Sequence, residues 1–294
     1  MKPLDNIRIV TLALNLPGPV AVARLVQWGA AATKIEPPTG DFLAQAAPDW
    51  YRALHQGQEV VRLDLKNAGE RARLDLYLQE ADLLITSNRL AALERLGLAW
   101  TELSARFPRL CQVAILGYPS ADDERPGHDI TYQARHGLLA PPHLPAACLA
   151  DFGGAQDVVQ AALALLLGRA RGRGCHYRQV SLADAAEFFA EPLRRGVTSP
   201  GGALGGGLPE YNLYRTREGW VAVAALEPHF RQKLCRELAL PTLDRAGLEK
   251  AFAARSAVEW EDWARARDLP IAAVRPAQAR SVSEDCLADA SVRT

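Results

Sequence analysis

The sequence carries no excess of charge of either sign. Its 34 Lys and Arg residues balance 34 Asp and Glu, so the formal net charge over 294 residues is zero. Nucleic-acid binders usually carry a basic surplus, and no such partner is expected. Long hydrophobic runs are missing too. The longest apolar stretch, 161–167, stops at Gly168 and Arg169, far short of the ~20 residues a membrane span needs. The first six residues hold Lys2 and Asp5 and no apolar core of a signal peptide. Cysteine is sparse, at 111, 148, 175, 235 and 286. No two form a CxxC pair, which argues against structural zinc and for free thiols in a reducing compartment. The GxGxxG, GKS/GKT and GxSxG strings are absent, leaving a dinucleotide fingerprint, a Walker loop and a hydrolase elbow unsupported. These absences describe a cytoplasmic protein with no metal, membrane or nucleic-acid partner.

What remains is ordinary globular composition, 49% apolar and 23% charged, with length for roughly two domains. The first half alternates strand and helix. Strands are expected at 7–12, 31–35, 60–65, 82–86 and 110–116, and helices at 20–28, 68–78, 90–96 and 100–106. Strands alternating with helices imply a parallel, doubly wound sheet, with ligands beyond its carboxyl ends. An apolar helix is expected at 152–167, a strand at 177–181 and a helix at 182–193. Six glycines crowd 196–207, which reads as a flexible loop or linker. A hairpin at 211–216 and 220–225 and helices at 228–238 and 257–267 suggest a smaller α+β domain, and 281–294 reads as a frayed end. The Arg-rich run 169–178 reads as a solvated loop.

Three acidic residues stand at element boundaries: Asp129 in Gly127-His128-Asp129-Ile130, Asp151 before Phe152-Gly153-Gly154, and Glu227 before Pro228. Read locally, each is a helix cap or a first-turn anion. Gly153-Gly154 reads as a helix start with amides free for an anion.

Taken together these strings resemble the class III CoA-transferase family (CaiB/BaiF), and within it the alpha-methylacyl-CoA racemases. The resemblance runs in order through Leu16-Pro17-Gly18-Pro19, Lys34-Ile35-Glu36-Pro37, Leu63-Asp64-Leu65-Lys66, Gly127-His128-Asp129-Ile130, Ala150-Asp151-Phe152-Gly153-Gly154, Tyr214-Arg215-Thr216 and Leu226-Glu227-Pro228. It implies a large α/β domain over 1–195 that binds CoA, a Gly-rich linker over 196–210 and a small α+β domain over 211–294, with a homodimer of interlocked chains. Family members usually continue further, so the return segment is expected to be shortened here.

The resemblance makes Asp151, His128 and Glu227 the catalytic residues. In the racemase branch, Asp151 and His128 remove and return the α-proton of a 2-methylacyl-CoA, Glu227 hydrogen-bonds and tunes the pair, and the Gly153-Gly154 amides support the enolate. In the transferase branch Asp151 attacks the thioester and forms an anhydride. A third reading is a non-catalytic member acting as partner or scaffold. Acyl-CoA is the substrate, with Arg89, Gly153 and Gly154 as its binding residues. His55-Gln56-Gly57-Gln58 and Ala44 stand where the family carries basic residues, so Arg89 is the one expected phosphate contact retained.

Overall fold

A computed structural model describes residues 2–119 and 124–276. The expectations for Cys286 and for the end 281–294 lie outside these residues. The chain divides after Phe189 into two compact units.

The first unit follows the alternation. Its elements are β1 (Arg8–Thr11), α1 (Pro17–Gln27), β2 (Ala31–Glu36), α2 (Phe42–Ala46), α3 (Pro48–Leu54), β3 (Glu59–Arg62), α4 (Ala68–Glu80), β4 (Leu83–Thr86), α5 (Leu90–Arg95), α6 (Trp100–Arg106) and β5 (Cys111–Leu116). Then come α7 (Asp129–Arg135), α8 (Leu149–Ala170), β6 (Tyr177–Ser181) and α9 (Leu182–Arg194). Six parallel strands form one sheet in the order β3-β2-β1-β4-β5-β6. The order reverses between β1 and β4, the switch point at which open parallel sheets open a crevice.

Period-two alternation sends neighbouring side chains to opposite faces. Ile9, Leu83, Ile85 and Val113 pack with Val22 and Leu25 of α1 and Val158, Ala162 and Leu165 of α8. Val10, Leu12 and Leu84 pack on the other face with Leu74 and Leu78 of α4, Leu93 of α5 and Leu103 of α6. Every residue of β4 and β5 is therefore buried, as a strand covered on both faces must be. Helix boundaries follow local chemistry. Pro17 opens α1, and Gly29, at φ +108°, follows its last turn. The Asn67 side chain accepts from the amides of Gly69 and Glu70 at the start of α4.

Arg169 departs from the solvated-run reading. It pairs with Asp82 at 2.8 Å and donates to the Arg109 carbonyl at 2.8 Å, with 21% of its side chain exposed.

The second unit holds a turn of π-helix (Ala203–Gly207), β7 (Tyr211–Arg215), β8 (Trp220–Ala224), α10 (Pro228–Glu237), α11 (Arg245–Phe252), α12 (Ala257–Arg265) and β9 (Ile271–Ala273). Its antiparallel sheet runs β7-β8-β9, over a core of Tyr214, Val221, Val223, Leu248, Phe252 and Trp260. The glycine-rich segment is folded back on itself: Leu204 N–H donates to the Val197 carbonyl at 2.8 Å, and Gly207 N–H to the Gly202 carbonyl at 2.9 Å.

Among the described residues no helix is long and apolar enough to cross a membrane.

Candidate active site

At the switch point the loop after β1 and the loop after β4 meet. Leu14 N–H donates to Ser87 Oγ at 3.1 Å, and Asn15 sits at φ +66°. These residues wall a cavity of about 320 Å³ whose other sides come from Arg89, the end of β5 through Gly117, the segment from Arg125 to His128, Tyr132, Asp151 and Leu182. A larger concavity of about 620 Å³ opens at the amino ends of β1, β2 and β3, lined by Arg8, Thr33, Glu59 and Tyr77 among others. Parallel sheets bind ligands at their carboxyl ends, so the smaller cavity is the candidate site. It brings together Asp151, His128 and Arg89.

Asp151 does not cap its helix. Helix α8 starts two residues earlier, at Leu149, after Cys148, whose side chain makes no capping bond. Asp151 thus lies in the first turn, and its backbone N–H donates to Asp129 Oδ1 at 3.0 Å. The other Asp129 oxygen accepts from Gln133 Nε2 at 2.5 Å, and Gln133 also donates to the Ala147 carbonyl at 3.1 Å. Asp129 is buried, at 9% exposure. It begins α7 yet caps a free amide of α8, a crossed arrangement that local reading missed. The half-buried Asp151 carboxyl has no hydrogen-bond partner among the described residues. Burial, and then the nearby charge of Asp129, push it up to about 7. It therefore exists in both protonation states near neutral pH.

His128 is the N-cap residue of α7. Thr131 holds its backbone: His128 N–H donates to Thr131 Oγ1 at 3.0 Å, and the Thr131 hydroxyl donates to the His128 carbonyl at 2.7 Å. The exposed imidazole carries no capping bond of its own and lines the same cavity as Asp151.

Arg89 lines the same cavity and forms a long, exposed pair with Glu124 at 3.4 Å. Exposed pairs of this kind hold weakly, which leaves the guanidinium open to a ligand anion. Glu227 belongs to the second unit. There it is the exposed N-cap residue of α10, without a side-chain capping bond.

Gly153 and Gly154 do not offer free amides. They lie inside α8, past the turn whose N–H groups lack helical partners. Their small size serves packing. A Cβ on Gly153 would approach Phe189 Cε2 to 2.5 Å, and one on Gly154 would approach Leu182 Cδ2 to 2.3 Å. Leu182 is a cavity wall. Gly154→Ala is expected to lower stability by about 1 kcal/mol, since overpacking costs roughly 1–3 kcal/mol and Ala returns up to about 1 in helix propensity. A denaturant midpoint at or above that of the unmodified chain would contradict this packing role.

Sequence reading missed four features. Tyr132 follows His128 by four residues, one helical turn, a spacing that places both on one face. Arg125 lines the cavity and stacks on the Tyr118 ring at 4.9 Å. Lys66 and Asn88 line an adjoining cleft of about 220 Å³ that shares Leu14 with the first. Finally, His55 is no surface substitute for a basic residue. It is buried, and its Nε2 accepts from the Lys34 ammonium at 2.9 Å. Among the described residues no group of three or more His, Cys, Asp or Glu side chains suits a metal ion.

The comparisons with known proteins agree with this architecture. The family described as CoA-transferase family III matches residues 4–294. A Mycobacterium tuberculosis protein named "Probable fatty acyl-CoA transferase" is 25% identical over 322 residues, covering 91% of this chain and 81% of its own. The alpha-methylacyl-CoA racemase of Homo sapiens is 28% identical over 256 residues, covering 81% and 65%. The acetyl-CoA:oxalate CoA-transferase of Acetobacter aceti is 25% identical over 311 residues, covering 92% and 80%. A crystal structure of a hypothetical protein from M. tuberculosis superposes with TM-score 0.80 at 25% identity, over 94% of this chain and 84% of that one. A parallel sheet of this order, the site at its switch point and a match over nearly the whole chain lead to one assignment: the protein belongs to CoA-transferase family III, a family of enzymes that act on acyl-CoA.

Proposed function

We propose that this enzyme interconverts the two configurations of a 2-methylacyl-CoA, with Asp151 and His128 as its acid–base groups. The carrying observation is the Asp151 carboxyl, pushed up to about 7 in one cavity with the His128 imidazole. An acid–base group is most effective when it titrates near the working pH. One of the pair takes the α-proton as the other supplies one to the opposite face, so each ends in the protonation state its partner began with. Glu227, in this reading, hydrogen-bonds and tunes the pair in the assembled enzyme. The CoA moiety lies along the carboxyl ends of the strands, where Arg89 and Lys66 meet its phosphates and the apolar walls of the adjoining cleft take its base. His55 takes no part, because its Nε2 is engaged by Lys34.

A second reading, CoA transfer through an anhydride on Asp151, is favoured by Arg125. This cavity-lining guanidinium has no carboxylate partner among the described residues and suits an acceptor carboxylate. The Asp151 carboxylate would add to the thioester carbon and expel CoA thiolate; the thiolate would attack the aspartyl carbonyl of the anhydride, releasing the donor carboxylate and leaving an aspartyl-CoA thioester. The acceptor carboxylate would then displace the thiolate to form a second anhydride, and thiolate attack on the acceptor's acyl carbon would give acceptor-CoA and free Asp151.

Chiral analysis separates the two. Resolved 2-methylacyl-CoA incubated with the enzyme is expected to become a mixture of configurations. Configuration retained, together with hydroxylamine capture of an acylated Asp151, would replace the first reading with the second.

A further inference from the structure

Either reading places growing negative charge on the thioester oxygen, and that charge needs a preorganised hydrogen-bond donor. Four backbone donors beside the two reacting residues are committed. The Gly153 and Gly154 amides belong to the ladder of α8, the Asp151 amide to Asp129 and the His128 amide to Thr131. The phenol of Tyr132 is not committed. Tyr132 is 2% exposed and lines the cavity with Asp151 and His128, yet its hydroxyl has no hydrogen-bond partner among the described residues.

The ring is also fixed in place. Tyr118 meets it edge-on at 5.2 Å and 78°. On the cavity side stand two glycines that admit it. A Cβ on Gly117 would lie 2.5 Å from the Tyr132 hydroxyl oxygen, and a Cβ on Gly127 would lie 2.6 Å from its ring. Both glycines are cavity walls, so the hydroxyl sits at the cavity surface behind positions that tolerate no side chain. Burial first, then Tyr118, Asp151 and Asp129, push the phenol up to about 12. It stays protonated, and so remains a donor, across the working range.

We propose that Tyr132 is a catalytic residue whose hydroxyl donates a hydrogen bond to the acyl oxygen of the bound thioester. This rests on the reading of Asp151 as the reacting group. The proton is shared, not transferred, so Tyr132 begins and ends the cycle as a neutral phenol.

Tyr132→Phe keeps the ring and removes only the donor. In the full-length enzyme the variant is expected to keep its melting temperature, to lose about 10²-fold in kcat and to change KM by less than about threefold. Two unreactive probes then isolate the acyl oxygen. A CoA ketone analogue, which retains that oxygen, is expected to bind about tenfold more weakly to the variant. An S-alkyl-CoA thioether, which lacks it, is expected to bind equally to both. If the unmodified enzyme is active, Asp151→Ala is dead and Tyr132→Phe matches the unmodified kcat, Tyr132 is not the donor and the Asp151 reading survives. Equal weakening of ketone and thioether would likewise overturn the donor role. An unmodified enzyme that neither racemises nor transfers overturns both.

Discussion

Asp151→Asn is expected to cost about 10²–10⁴-fold in turnover while making the protein more stable at pH 8. The two effects share a cause. The folded state holds the carboxyl at about 7, through burial and Asp129, against about 3.9 in an unfolded chain. Between those values the folded protein binds a proton that the unfolded chain has released. Stability therefore falls as pH rises from about 4 to about 7, and the full penalty applies above 7. Removing the ionisable group is expected to return roughly 1–3 kcal/mol at pH 8 and little at pH 4. Matched melting curves of the two proteins at pH 4.5 and pH 8 check this. A variant no more stable at pH 8 would mean that the carboxyl is not held in the environment described here.

The second large effect is expected at Lys34, which is fully buried. Its ammonium touches Asp41 Oδ2 at 2.6 Å, His55 Nε2 at 2.9 Å and Glu36 Oε1 at 3.2 Å. The Tyr51 hydroxyl donates to Glu36 at 2.6 Å, and Asp41 accepts from the Leu43 amide at 2.9 Å and the Asn15 amide at 3.2 Å. The network thus ties β2, α2 and α3 to the loop that walls the cavity. Lys34→Met strands two buried carboxylates and is expected to lower stability by about 3–5 kcal/mol. A loss below about 1 kcal/mol in chemical denaturation would contradict a closed buried network.

His55 adds a pH signature of the opposite sign to that of Asp151. Burial, then the charge of Lys34, lower its pKa, so the folded state keeps the ring neutral while an unfolded histidine takes up a proton below about 6.5. Its contribution is complete above that value and is lost as pH falls. Asp151 and His55 act in opposite directions, and His55→Gln is expected to flatten the acid limb alone in melting curves taken across pH.

Much of the fold was legible because the central strands are short and buried on both faces. Runs such as Leu83–Thr86 and Cys111–Leu116 carry the pattern of a parallel sheet in their composition. Helices α2, α3 and α11 and strand β9 were not read. The first two are only five and seven residues long and are broken by Pro48, too short for a helical period to show; Asp41 caps the first through the Leu43 amide. Strand β9 is three residues long, too short for alternation to show. At the site, the motifs pointed to His128 and Asp151, which the fold brings to one cavity. They did not show that Asp129 caps the neighbouring helix, because that bond joins residues 22 apart in sequence. Nor did they show that Gly153 and Gly154 serve packing: whether an amide is free depends on where the helix starts, and α8 starts earlier than its apolar run.

The central claim is that Asp151 exchanges a proton with the α-carbon of a bound acyl-CoA. The most direct measurement is mass spectrometry of 2-methylacyl-CoA after incubation with the enzyme in D2O. One deuteron per molecule, appearing at the α-carbon with the unmodified enzyme and absent with Asp151→Ala, is the predicted result. An α-carbon that stays fully protonated with the unmodified enzyme, or one labelled equally fast without Asp151, contradicts the account.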